Sequence, residues 1–182
     1  MNVSTDACIL INLLHAHRLD LLGAVPPYVF CVPTEVLGEI THPDQQAELK
    51  EGLDRGWIQE GRMEAIEELQ IFAQANDKLG TGESACLALA QARTWILGTD
   101  DSKGIKWKKV ITASGLQVLN TPGILLLAIQ QRALSVEEAD EIKTLLEANR
   151  FRMGFASFRD LVDECANVRI QSMRNARTLR SE

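Results

Sequence analysis

Five carboxylates, Asp6, Glu39, Glu83, Asp100 and Asp101, are scattered along the chain, and each lies beside an apolar run where a strand ends or a helix begins. Carboxylates brought within a few ångströms of one another repel, so some would take up protons. A hard divalent cation removes that penalty. Magnesium prefers oxygen ligands and is held by one or two carboxylates together with substrate phosphates, and manganese suits the same oxygen-rich sites. Two such ions activate a water and stabilise the leaving oxygen in an in-line attack on a phosphodiester. The chemistry implied is metal-assisted hydrolysis. Each acid also has a purely structural reading. Asp6 can cap the helix that follows it, Glu39 can be an exposed helix residue, and Glu83 suits the first turn of a helix, where negative charge complements the dipole. Asp100 and Asp101 are harder to explain structurally, because two adjacent carboxylates at a strand end need a counter-charge or a cap.

The elements that must position these acids follow from the hydrophobic pattern. Residues 2–5, 28–32, 95–99 and 116–119 read as short strands, too short and too apolar for amphipathic helices, and Trp57-Ile58-Gln59 reads as a short edge strand. Between them Asp44 to Leu53 and Met63 to Leu79 read as helices. The second is expected to turn Met63, Ile66, Leu69, Phe72 and Ala73 inward and to expose Glu64, Glu67, Glu68 and Gln74. Thr121-Pro122-Gly123 starts an apolar helix. Ser135 with Glu138 three residues on is a capping-box signature for another helix running to about Asn149, and a last helix is expected from Ser157. Strands alternating with helices predict an α/β fold, a three-layer α/β/α sandwich around a mainly parallel sheet of four to five short strands. In such a sheet the strand ends and following helix starts share one edge, so the dispersed acids can converge there.

With 182 residues and 46% hydrophobic content, the chain supports one well-filled core. The expected organisation is an α/β domain over 1–150 with a helical extension over 151–182. No apolar run approaches the ~20 residues of a membrane helix and no signal-peptide pattern opens the sequence, so a soluble cytoplasmic protein is expected. Cys8, Cys31, Cys86 and Cys165 are widely spaced, with no zinc-binding pattern, and read as buried thiols. The net charge of -6 argues against nonspecific coating of nucleic acid, but bound divalent cations would reverse the local sign in an acidic pocket. Lys103, Lys106, Lys108 and Lys109 follow the last acidic pair and are placed to hold backbone phosphates, which position nucleic acid without reading its sequence. Trp107 among them is suited to stacking on an unpaired base or to core packing. Thr99, at the strand end, suits orientation of a water or simple β-packing. The tail beyond Cys165 is arginine-rich, a feature suited to RNA or to a partner.

Taken in order, Asp6-Ala7-Cys8-Ile9-Leu10-Ile11-Asn12-Leu13, Val32-Pro33 with Val36-Leu37-Gly38-Glu39-Ile40, Gly82-Glu83-Ser84-Ala85, Asp100-Asp101 and Gly123-Ile124-Leu125-Leu126-Leu127-Ala128 resemble the PIN-domain family over roughly residues 2 to 165. The resemblance is to small prokaryotic PIN proteins related to toxin-antitoxin ribonucleases. It implies magnesium or manganese in an acidic pocket, cleavage of single-stranded RNA, a possible antitoxin partner, and homodimers. By resemblance Asp6, Glu39 and Glu83 match three of the family's acids, and both Asp100 and Asp101 fit the fourth. The family pattern places one residue between the strand-end Thr and the ligand, which favours Asp101. Cys8 stands where the family often has Ser, Thr or Asn, and a thiol is a poorer hydrogen-bond partner for a carboxylate. A PIN-like binding module with weak or no cleavage, or more distantly a metal-dependent phosphatase, are the alternatives.

Overall fold

The computed structural model describes residues 1–101, 112 and 114–165. The chain forms two compact units, Met1–Ala133 and Leu134–Glu182. In the first, β1 (Asn2–Thr5), β2 (Val29–Pro33), β3 (Ile58–Gly61), β4 (Ile96–Gly98) and β5 (Val118–Leu119) form one sheet in the order β3-β2-β1-β4-β5. Every pairing is parallel. This is the expected α/β architecture, and the segment around Trp57 to Gln59 does supply the edge strand.

Strand order explains where a site can form. From β1 the chain moves outward through β2 and β3, then returns to the other side of β1 with β4 and β5. The order therefore reverses between β1 and β4. At such a switch point the connections leave in opposite directions and open a crevice beyond the strand C-termini. Val3, Phe30, Val32 and Leu97 are fully buried in the sheet, as expected of parallel strands covered by helices on both faces. The short strands carry α1 (Ala7–His15), α2 (Thr34–Glu39), α3 (Pro43–Asp54), α4 (Ile66–Asn76), α5 (Thr81–Ala92) and α6 (Thr121–Gln130). A 3-10 turn, Leu19–Leu22, buries three leucines after α1.

The orientation of α4 differs from expectation. Glu68, expected in solvent, is only 3% exposed, while Ile66 and Leu69, expected inside, are 76% and 51% exposed. The reason is polar. Arg93, just past the end of α5, donates to Glu68 Oε1 at 2.5 Å, and Glu68 Oε2 accepts the Glu64 and Ala65 amides at 2.7 and 3.0 Å. A carboxylate so fully hydrogen-bonded can be buried. Arg93 also lies 4.9 Å over the Trp95 ring and donates to the Arg62 carbonyl, so one guanidinium joins α4, α5 and the start of β4.

The second unit contains α7 (Val136–Ala148) and a helix over 158–165. The capping box is formed: Ser135 Oγ accepts the Glu138 amide at 3.1 Å and Glu138 accepts the Ser135 amide at 2.7 Å. Asp140 accepts the Ser157 hydroxyl and the Phe158 amide at 2.6 and 2.8 Å, fixing the start of the last described helix. Among the described residues no helix is long and apolar enough to cross a membrane.

Candidate active site

Asp6 follows the last residue of β1, and its amide donates to the Gly98 carbonyl of β4 at 2.9 Å. The acid therefore stands at the strand-order reversal. Its backbone is extended and its Oδ1 accepts the Ala7 amide at 2.8 Å, so it is indeed the cap of α1. The cap does not exhaust its role. Oδ2 accepts the Cys8 thiol and the Thr99 hydroxyl, each at 3.2 Å. The residue is only 5% exposed, and no Lys or Arg among the described residues pairs with it. Burial pushes its pKa up, the Glu83 charge adds to that, and the hydrogen bonds from Cys8, Ala7 and Thr99 oppose it.

Cys8 fills the gap between β1 and β4. Its thiol donates to Asp6 and its sulfur accepts the Asp100 amide at 3.2 Å, with Thr99 Oγ1 at 3.6 Å. Burial, then the charge of Asp6, pushes the thiol up to about 12, so it stays protonated and remains a donor. The thiol thus makes the contacts a hydroxyl would make there. Fully buried Thr99 donates to Asp6 and accepts the Asp101 amide at 3.2 Å. One hydroxyl separates the Asp6 carboxylate from the Asp101 backbone.

The adjacent aspartates have different surroundings. Asp100 Oδ1 accepts the Thr121 amide at 2.8 Å, and Oδ2 accepts the Thr121 hydroxyl at 2.5 Å and the Asn12 amide group at 2.9 Å. Burial raises its pKa, while the contacts from Thr121 and Asn12 lower it. It closes the end of β4 onto the start of α6. Asp101 is exposed. Asn12 and Thr121, which the sequence reading passed over, supply this clasp. Their signal was an amide inside an apolar helix and a hydroxyl beside the Pro122 helix start.

Glu39 and Glu83 meet at the start of α5. Glu39 Oε1 accepts the Gly82 amide at 2.9 Å, and Glu83 Oε2 accepts the Gly80 amide at 2.9 Å. A Cβ at Gly82 would stand 2.5 Å from Glu39 Oε1. Gly82 is thus a third residue that sequence reasoning missed, although a glycine beside an acid at a helix start signals close approach. The charges of Asp6 and Glu39 both act on buried Cys86, which burial holds well above the ordinary thiol range. All four cysteines are free.

Among the described residues no three acids, histidines or cysteines stand at ligand distance from one point. The donor chemistry nevertheless fits a hard divalent cation: oxygen-only side chains, one carboxylate almost buried without a counter-charge, and a second raising its pKa. Lys103, Lys106, Lys108, Lys109, Trp107 and the arginine-rich tail lie outside the described residues. A separate cavity of about 570 Å³, lined by His17, Arg18, Asp20, Glu48 and Trp57 among others, contains none of these acids. Four of its polar groups pair within it, His17 with Glu48 at 3.1 Å and Arg18 with Asp20 at 3.0 Å.

A parallel α/β sheet with carboxylates at its switch point defines the class of the protein. The chain belongs to the PIN-domain family: the family model described as DUF3368, PIN domain, matches residues 2–166. PIN domains are generally nucleases and typically use divalent metals. No curated protein matches the sequence.

Proposed function

We propose that the chain is a magnesium- or manganese-dependent endoribonuclease that hydrolyses internal phosphodiester bonds of single-stranded RNA in the cytoplasm. The observation that carries the reading is Asp6: a nearly buried carboxylate at the strand-order reversal, without a cationic partner among the described residues and destabilised by Glu83. Asp6, Glu39, Glu83 and Asp101 would hold the cation. When bound, it supplies charge neutralisation and a water acidic enough to act as nucleophile.

The chain's own residues set the remaining conditions. Cys8 and Thr99 orient Asp6, and Thr99 fixes the backbone that carries Asp101. Asp100, held by Thr121 and Asn12, keeps that strand end in place, and exposed Asp101 is the member of the pair assigned to the cation. The lysines at 103, 106, 108 and 109 would bind backbone phosphates. A toxin role with an antitoxin partner belongs to the same reading.

The arrangement of Glu39 and Glu83 on the α5 amides favours one rival, a PIN-like binding module with little or no cleavage. Calorimetric titration with manganese, paired with cleavage of a labelled single-stranded RNA, separates the two. The nuclease reading expects manganese binding and internal cleavage, both lost in Asp6→Asn with the fold retained. RNA binding with neither metal binding nor cleavage would establish the rival.

A further inference from the structure

The cavity of about 570 Å³ lies at the edge of the sheet opposite the acids. Asp6 stands where β1 ends, and α1 runs back from it over 9 residues, about 13 Å at the rise of a helix. His17 and Arg18 follow the end of α1, and Trp57 immediately precedes β3; with the middle of α3 they enclose the space. Its volume is that of a small-molecule site. Trp57 packs so closely on Gly23 that a Cβ there would stand 2.5 Å from the indole. Charge around the cavity is only partly matched. Arg18 is neutralised by Asp20 at 3.0 Å, and Glu51 by Arg55 at 2.7 Å. Glu48 is different. Its side chain is 21% exposed, and its partner among the described residues is the His17 ring at 3.1 Å, which brings no charge when neutral. In donating from Nδ1 to Glu48, the neutral ring presents Nε2 as a further acceptor. His17 also holds φ at +52°, in the left-handed region that glycine fills without strain. Ending α1 there requires no imidazole; the contact with Glu48 does. The negative pole of the α1 dipole adds to the preference for a cation.

We propose that this cavity binds a linear aliphatic polyamine, with one ammonium group held by Glu48 and His17 Nε2. The lining selects that chemistry. Asp20, Glu48 and Glu51 share it with Leu19, Ala47 and Trp57, as a chain of methylene segments between ammonium groups requires. No three acids or histidines among the described residues meet at one point, so the cavity matches charge spread along a molecule better than a single metal ion. The Trp57 ring, with Arg55 already 5.2 Å from its centre, offers apolar surface to the methylenes next to an ammonium, which an indole attracts. The site is remote from the catalytic acids, and the inference does not depend on the nuclease reading.

Calorimetric titration of the full chain with spermidine, at about 0.15 M salt to screen loose surface attraction, is expected to show saturable one-to-one binding. Glu48→Gln keeps the size of the side chain and should weaken binding by about tenfold or more, the loss of one charge-assisted hydrogen bond. His17→Gly relieves the left-handed backbone and removes the Nε2 acceptor. Its melting temperature should hold while affinity falls by about 2–10-fold, a split that a purely structural histidine would not give. Asp6→Asn should bind as the wild type does. Propylamine, with a single ammonium group, should bind at least about tenfold more weakly than spermidine. Absence of saturable binding, or equal binding by Glu48→Gln, would overturn the proposal. So would binding lost in Asp6→Asn, which would place the polyamine among the catalytic acids, or propylamine binding as tightly as spermidine.

Discussion

At the residue scale, the site depends on contacts too close for a side chain at Gly82. Replacing Gly82 with Ala puts a methyl 2.5 Å from Glu39 Oε1, and the flexible glutamate must leave the α5 amide. Stability should change little, because the charge-assisted hydrogen bond lost, about 1–2 kcal/mol, is offset by up to about 1 kcal/mol from exchanging glycine for alanine in a helix. Manganese affinity should fall by about tenfold or more if Glu39 is a ligand positioned by that amide, since loss of a partner that orients a metal ligand costs about 10–100-fold in metal affinity. Calorimetry on the folded variant checks this, and unchanged affinity would remove Glu39 from the ligand set. Cys8 allows a finer test. Cys8→Ser keeps a donor for Asp6 and an acceptor for the Asp100 amide, so it should retain metal binding, whereas Cys8→Ala removes both contacts and should lose about 1–2 kcal/mol of stability in denaturant melts. The sequence showed the mismatch at position 8 but not its outcome, because a thiol's usefulness depends on whether its neighbours keep it protonated. Here burial and Asp6 do so.

At the element scale, α4 shows what periodicity can and cannot specify. The pattern places the helix and rightly exposes Glu64, Glu67 and Gln74, but not the burial of Glu68 or the exposure of Ile66 and Leu69, because Arg93 beneath Glu68 is not visible in the periodicity. Contact with Arg93 holds Glu68 down to about 2, against the opposing effect of burial, with the Ala65 and Glu64 amides adding to it. The folded pKa lies below the unfolded value, so the unfolded chain binds more protons between them. The associated stability is complete above about pH 4.5 and is lost as pH falls toward about 2. Glu68→Gln should therefore destabilise at pH 7, by about 2 kcal/mol given a pair that is partly exposed on the arginine side, and should flatten the acid limb of a stability–pH curve. Equal melting temperatures for wild type and variant at pH 7 would show that the ion pair contributes nothing. The strands were more legible than the helices' orientation. Continuous apolar runs bounded by turns mark buried parallel strands whichever face is considered, whereas the edge strand Ile58–Gly61 carries exposed Gln59 and Glu60 and gives a weaker signal. What lay beyond the sequence was strand order, which places Asp6 and Asp100 on neighbouring strand ends although they are far apart in the chain.

At the scale of the whole molecule, the acidic set sets function against stability. Asp6 and Asp100 have folded pKa values raised by burial, the reverse of Glu68. In their window the folded state binds more protons than the unfolded one. Their contribution is most favourable below the ordinary carboxylate range and declines as pH rises through the raised folded values. The metal-free protein thus bears the cost of a buried carboxylate at Asp6 with no cationic side chain beside it among the described residues, within a chain already carrying -6. Asp6→Asn removes that charge and keeps an oxygen to accept the Ala7 amide, so the metal-free variant should melt higher than the wild type, by an amount on the order of 1 kcal/mol. Manganese should reverse the order. Binding to the folded state alone stabilises by RT ln(1 + [L]/Kd), about 2.7 kcal/mol at one hundred times Kd, and only the wild type should gain it. Melting curves with chelator and with saturating manganese form a four-cell comparison in which a crossover is expected. If Asp6→Asn lowers stability in chelator, the hydrogen bonds that Oδ2 accepts from Cys8 and Thr99 outweigh the cost of the buried charge. If manganese raises both proteins equally, the cation binds without Asp6, and the acid at the switch point is a helix cap alone.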